Sequence, residues 1–123
     1  MYLRKLAWPA LLAIATLTPT MSQAVATFSC SGTFDSVLVR GNGDLMVHST
    51  WRGDWTYLCN VNAPAANVVN AKSCAGWLAL STAAVDTQKP IMVSYINVTP
   101  TGCSTLPIDN TAPAPDSVIF STP

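Results

Sequence analysis

The chain of 123 residues has no glutamate, a single histidine and few charges, with six Lys and Arg, six Asp, and charged residues at 10% of the total. Each scarcity closes off a class of chemistry. A domain that neutralises several phosphates needs a basic stripe; the basic residues here are scattered, so nucleic acid is not an expected partner. With His48 the sole imidazole, a catalytic triad would have to take Ser49 as hydroxyl and Asp35 or Asp54 as orienting acid, a grouping that composition alone proposes. The plainer reading makes His48 a polar residue on the outward face of a strand. The aspartates reproduce no calcium-loop spacing, and no two cysteines stand in the C-x₂₋₄-C arrangement of zinc sites. No cofactor or metal is therefore expected. Internal repeats and charge runs are also absent.

What is present begins with a leader-like segment. Arg4 and Lys5 precede an almost unbroken apolar run from Leu6 to Leu17, Pro19 breaks it, and Ala24-Val25-Ala26 supplies small residues in the A-x-A pattern. This is the layout of a secretory signal peptide. The run falls short of the ~20 residues that span a bilayer, so no stable membrane insertion is expected once the leader is removed. The expectation is a signal peptide over residues 1–26, with Ala24 as the other cleavage candidate, and an exported product, secreted or periplasmic. Residues 27–123 then form one domain, mildly acidic because four basic residues face six aspartates.

Within that domain the stretch from Cys59 to Cys103 is central. Before it, residues 27–40, Leu45 to Trp51 and Trp55 to Cys59 favour strands. They are separated by turns at Gly41-Asn42-Gly43-Asp44 and Arg52-Gly53-Asp54, which predicts an antiparallel meander. Asn60 to Asn70, interrupted by Pro64, reads as a loop. From Ser73 the spacing turns helical, placing Cys74, Trp77, Leu78, Ser81, Ala84 and Val85 on one face. Ser73 or Asn70 would cap the start, and Pro90 would end the helix before it. Ile91 to Val98 is the clearest strand, apolar on both faces for most of its length. From about residue 99 prolines interrupt regular structure, leaving Ser117-Val118-Ile119-Phe120 as a short final strand on an edge.

Four cysteines in an exported chain imply two disulfides, with a zinc site as the rival reading. Of three pairings the preferred one joins Cys59 to Cys74, pinning helix to sheet, and Cys30 to Cys103, joining the start of the first strand to the end of the long one. The order of elements predicts a mainly β fold with one helix, a five-stranded OB-like Greek-key barrel stapled by disulfides. Tyr57-Leu58-Cys59, Cys74-Ala75-Gly76-Trp77, Ala83-Ala84, Pro90 to Tyr95 and the late Cys103 together resemble small exported bacterial proteins, among them the receptor-binding B subunits of subtilase-cytotoxin-type toxins. The likeness spans about residues 30–105. It implies an OB-fold, ring-forming pentamers and glycan binding; none of that family's sugar-contacting residues transfers onto this chain.

Three smaller features have functional and plain readings. Arg52-Gly53-Asp54 spells the integrin-ligand tripeptide, yet Gly-Asp is already a good turn. Asn97-Val98-Thr99 matches the glycosylation sequon, at the end of a strand. Trp51, Trp55 and Tyr57 are candidate binding or assembly aromatics, while in so small a core Trp77 and one strand aromatic are expected to be buried. The leading expectation is a non-enzymatic exported module that binds a glycan, an envelope component or another protein. The alternatives are a structural or accessory subunit of a surface assembly, in which case a homo-oligomer is expected, and a small hydrolase using His48.

Overall fold

The computed structural model describes residues 27–62, 69–96, 98 and 102–121. The expected leader over residues 1–26, part of the Asn-rich loop, and Asn97 and Thr99 of the sequon lie outside the described residues. The elements are β1 (Thr27–Gly32), β2 (Phe34–Val39), β3 (Asp44–Ser49), β4 (Trp55–Asn60), α1 (Ala71–Thr87), β5 (Ile91–Ile96), a 3₁₀ turn (Cys103–Thr105) and β6 (Ser117–Phe120).

The stretch read as one strand over residues 27–40 is two, β1 and β2, joined through Thr33. Thr33 donates its N–H to Thr50 Oγ1 at 3.0 Å and accepts from the Thr50 N–H at 3.0 Å. Gly32 permits the bend. A Cβ there would lie 2.6 Å from Thr50 Oγ1 and 2.9 Å from the Trp51 ring, closer than any real side chain sits.

Two antiparallel sheets result, one in the order β1-β5-β6 and the other β2-β3-β4. The second is the expected meander. In the first, the long strand returns beside β1, with Cys30 opposite Val93, and β6 forms the predicted edge. The five-stranded closed barrel is not what forms: among the described residues six strands divide between two three-stranded sheets, and between β4 and the C-terminal segment there is a single parallel bridge, Thr56 with Asp109. The chemistry of that segment accounts for the open seam. Pro107, Pro113 and Pro115 lack the N–H a ladder requires, so the chain pairs with β4 only around Asp109, by bonds from Tyr57 N–H to Asp109 O and from Asp109 N–H to Trp55 O.

The core lies between the sheets and α1. Phe34, Leu45, Val47, Leu58, Ile91, Val93, Tyr95 and Leu106 are buried there. From α1 it receives Cys74 and Ala84, with Trp77, Leu78 and Val85 half-buried against it, on the face the periodicity predicted. Asn70 caps the helix, its Oδ1 accepting from the Ser73 N–H at 2.8 Å, and Gln88 ends it in a left-handed conformation. β5 buries Ile91, Val93 and Tyr95 on one face, while Met92 and Ser94 on the other are half-exposed. The expected double-sided cover is therefore partial.

Both disulfides take the preferred pairing. Cys59 of β4 is bonded to Cys74 of α1 with Cα atoms 5.7 Å apart, and Cys30 of β1 to Cys103 at 5.5 Å. All four thiols are consumed, which sets aside the zinc reading. Among the described residues no helix is long and apolar enough to cross a membrane.

Candidate binding face on the β2-β3-β4 sheet

Strand alternation sorts the candidate residues into two faces. Leu45 and Val47 of β3 point into the core, so Met46 and His48 point the other way. Across the ladder His48 stands opposite Ser36 and Trp55, and Met46 opposite Leu38 and Tyr57. The outward face thus carries two rows, Ser36–His48–Trp55 and Leu38–Met46–Tyr57. Met46 is fully buried although it lies outside the main core cluster, giving the face an apolar floor.

Two bulges shape this face. One, between Phe34 and Ser36, sets both Asp35 and Ser36 against His48. Asp35 Oδ2 lies 3.2 Å from His48 Nδ1. The other falls between Leu45 and Met46 in the β3–β4 register; it lets the consecutive residues Leu58 and Cys59 both be buried while Trp55 and Tyr57 keep their outward parity. The His48 and Trp55 rings meet edge to face, centroids 5.7 Å apart and planes at 75°.

Asp44 anchors the other end. Its carboxylate accepts from Asn42 Nδ2 at 2.7 Å and from Asn60 Nδ2 at 2.9 Å. Burial, and secondarily the Asp44 charge, push the Tyr57 phenol above its ordinary range, so Tyr57 keeps its hydroxyl proton.

The sequence candidates divide accordingly. Trp55 and Tyr57 come together, half-exposed, on one face of β4. Trp51 does not join them. It packs against Phe34, centroids 5.6 Å apart, belongs to the half-buried shell of the core, and has its Nε1 buried without a hydrogen-bond partner. Ser49, the expected hydroxyl for His48, faces the core, fully buried, and Asp54 is turned to the Trp55 N–H at 2.7 Å. Of the residues weighed for a triad, only Asp35 reaches His48. The Arg52-Gly53-Asp54 stretch is a turn with Gly53 at φ 66°, and Arg52 Nε donates to the Leu106 carbonyl at 2.6 Å, holding that side chain against its own chain.

Asp44, Ser36 and Met46 were not singled out from the sequence. Parity would have placed Met46 outward, but the contribution of Asp35 depends on a bulge that no residue pattern announces. Among the described residues no three His, Cys, Asp or Glu side chains converge on a point. No known protein family, no curated protein and no solved structure matches this chain.

Proposed function

We propose that this protein is an exported, disulfide-stapled binding module that holds a glycan on the outward face of β2-β3-β4. The observation that carries the reading is the division of the aromatics. Trp51 and Trp77 pack on the core, whereas Trp55 and Tyr57 stand outside it, half-exposed on one strand face. Aromatic faces with a polar tip stack on the C–H face of a sugar while neighbouring polar groups meet its hydroxyls; here Asp35, His48, Ser36 and Asp44 flank the rings. Two disulfide bridges, Cys30–Cys103 and Cys59–Cys74, support an oxidising destination. Consecutive strands β1 and β2 that pass from one sheet to the other, with a helix before the strand that returns beside β1, are the features that favour an OB-like order of elements.

A glycan array and titration calorimetry on the purified chain test this. Binding that Trp55→Ala weakens at least tenfold, with melting temperature unchanged, is the expected result; a blank array and a blank titration at high protein concentration would overturn it.

A second reading, an accessory subunit of a surface assembly, is favoured by β6. Ile119 and Phe120 are 44% and 37% exposed on an edge strand, and an uncovered apolar edge invites pairing with another chain. Light scattering tests the role of this edge: a concentration-dependent oligomer lost in Ile119→Lys supports assembly through β6, though a glycan-binding ring like the toxin B subunits would also form an oligomer.

A further inference from the structure

Asp109 differs from its neighbours in the C-terminal segment by its backbone. Its φ is 52°, a left-handed conformation that residues with a side chain rarely adopt. Among the described residues other than glycine only Gln88 shares it, and Gln88 ends a helix, where it is ordinary. Asp109 ends none; it lies in a turn closed by the Thr111 N–H on the Ile108 carbonyl. Outliers of this kind persist where the surroundings over-determine them, and they gather at ligand clamps.

The candidate face supplies those surroundings. The Asp109 N–H donates to the Trp55 carbonyl at 2.9 Å, and the Asp109 carbonyl accepts from the Tyr57 N–H at 3.2 Å. Both bonds go to the residues that carry the outward aromatics, on a strand that pairs with β3 along its other side. The Asp109 carboxylate meets Arg40 Nη2 at 2.8 Å. Arg40 continues the outward parity of Ser36 and Leu38, and its N–H is bonded to the Asp44 carbonyl across the hairpin. The ion pair therefore ties the two margins of the β2-β3-β4 sheet. Through Thr56 and Val47, Asp109 is level with Val37; in a flat sheet three strand spacings, about 14 Å, would lie between it and β2.

We infer that Asp109 is a positioning residue for the Trp55–Tyr57 face: its backbone sets the pitch of the two rings, and its carboxylate draws Arg40 across the outward side of the sheet, over Met46. The inference rests on the glycan-binding reading above and adds to it a residue and a covered floor. Met46 points outward yet is fully buried, as a residue beneath such a pair is, with Leu38 and Tyr57 on either side of it in the ladder. The rings then stand at the rim of a preformed trough, which reduces the ordering that binding requires. A half-exposed ion pair adds little to global stability, so its loss acts locally.

Four variants of the oxidised chain separate backbone from charge. Asp109→Asn and Asp109→Gly accept a left-handed backbone but lose the ion pair, as does Arg40→Gln; Asp109→Ala loses both. Two readouts need no ligand. By NMR, the Tyr57 amide should exchange at least tenfold faster in Asp109→Ala and near the parent rate in the Asn and Gly variants, with the amides of β3 unchanged in all. Under dilute peroxide, peptide mass spectrometry should find Met46 oxidised at least tenfold faster in all four variants, the half-exposed Met92 of the other sheet serving as internal reference. On the glycan array, Asp109→Ala should lose the signal that Trp55→Ala loses, and Asp109→Gly should recover part of it. If Asp109→Ala does not fold, Arg40→Gln, which leaves the Asp109 backbone untouched, carries the test through Met46. Parent-like rates of either kind in Asp109→Ala overturn the inference. An array signal that Asp109→Ala keeps overturns it too, and leaves the glycan face standing. An array blank for the parent chain brings down the glycan reading, and the two ligand-free rates then decide whether Asp109 holds the rings.

Discussion

At the scale of single residues, Tyr95 carries a consequence for stability. It lies on β5, 1% exposed, with its ring stacked on Phe28 at 6.0 Å. Burial raises its phenol far above the ordinary value of 10.0. The folded protein therefore holds the neutral form, while the unfolded chain ionises from about pH 10. Its contribution is fully present below that pH and is lost as pH climbs toward the higher folded value, at about 1.4 kcal/mol per pH unit. Urea midpoints measured from pH 9 to 12 should fall steeply above pH 10, and Tyr95→Phe should flatten the fall. The half-exposed Tyr57, whose phenol is also raised, first by burial and then by the Asp44 charge, should flatten the fall less than Tyr95 when replaced by Phe. An unaltered slope in Tyr95→Phe would contradict this account.

At the scale of the element, α1 shows how local rules and packing divide the work. Asn70 satisfies one of the donors left open at the helix start, and its replacement by Ala should cost about 1 kcal/mol. Gly76 is exposed, with nothing within 4 Å of where a Cβ would stand. No ligand or close approach requires glycine there, so Gly76→Ala should stabilise the protein by about 0.5–1 kcal/mol. Thermal melts of both variants check the pair: opposite shifts in melting temperature are expected, and a loss in Gly76→Ala would show that the helix surface is covered by something outside these contacts. The helix was legible from its spacing because Cys74, Ser81 and Ala84 recur on one face. Its start was less so, since Asn70 and Ser73 are both good caps and only the backbone decides between them.

For the whole molecule, the two bridges are the main constraint on the unfolded chain. On chain-entropy grounds the bridge closing 15 residues is worth about 3 kcal/mol and the one closing 73 about 4 kcal/mol. A domain of this size has only about 5–15 kcal/mol in total. Replacing Cys30 and Cys103 by Ala should therefore lower stability more than replacing Cys59 and Cys74, and removing both pairs should leave the chain largely unfolded at 37 °C. Circular dichroism of the two double variants and the quadruple variant tests the order. A fully folded quadruple variant would show that burial alone suffices.

Much of this architecture was present in residue order alone. Glycine and asparagine at the hairpin turns, the switch from strand to helical spacing between the second and third cysteines, and an even count of cysteines are local signals, because turn geometry, side-chain period and thiol chemistry act over a few residues. Even the disulfide pairing followed, once the long strand was placed beside the first. Three outcomes needed the tertiary structure. The prolines near Asp109 limit its pairing with β4 to one bridge and leave the sheets unclosed; a bulge at Asp35 carries that carboxylate to His48; and the packing of Trp51 on Phe34 leaves Trp55 and Tyr57 as the outward aromatics. Each depends on which strand neighbours which and in what register, and register is a property of paired strands that neither strand encodes by itself.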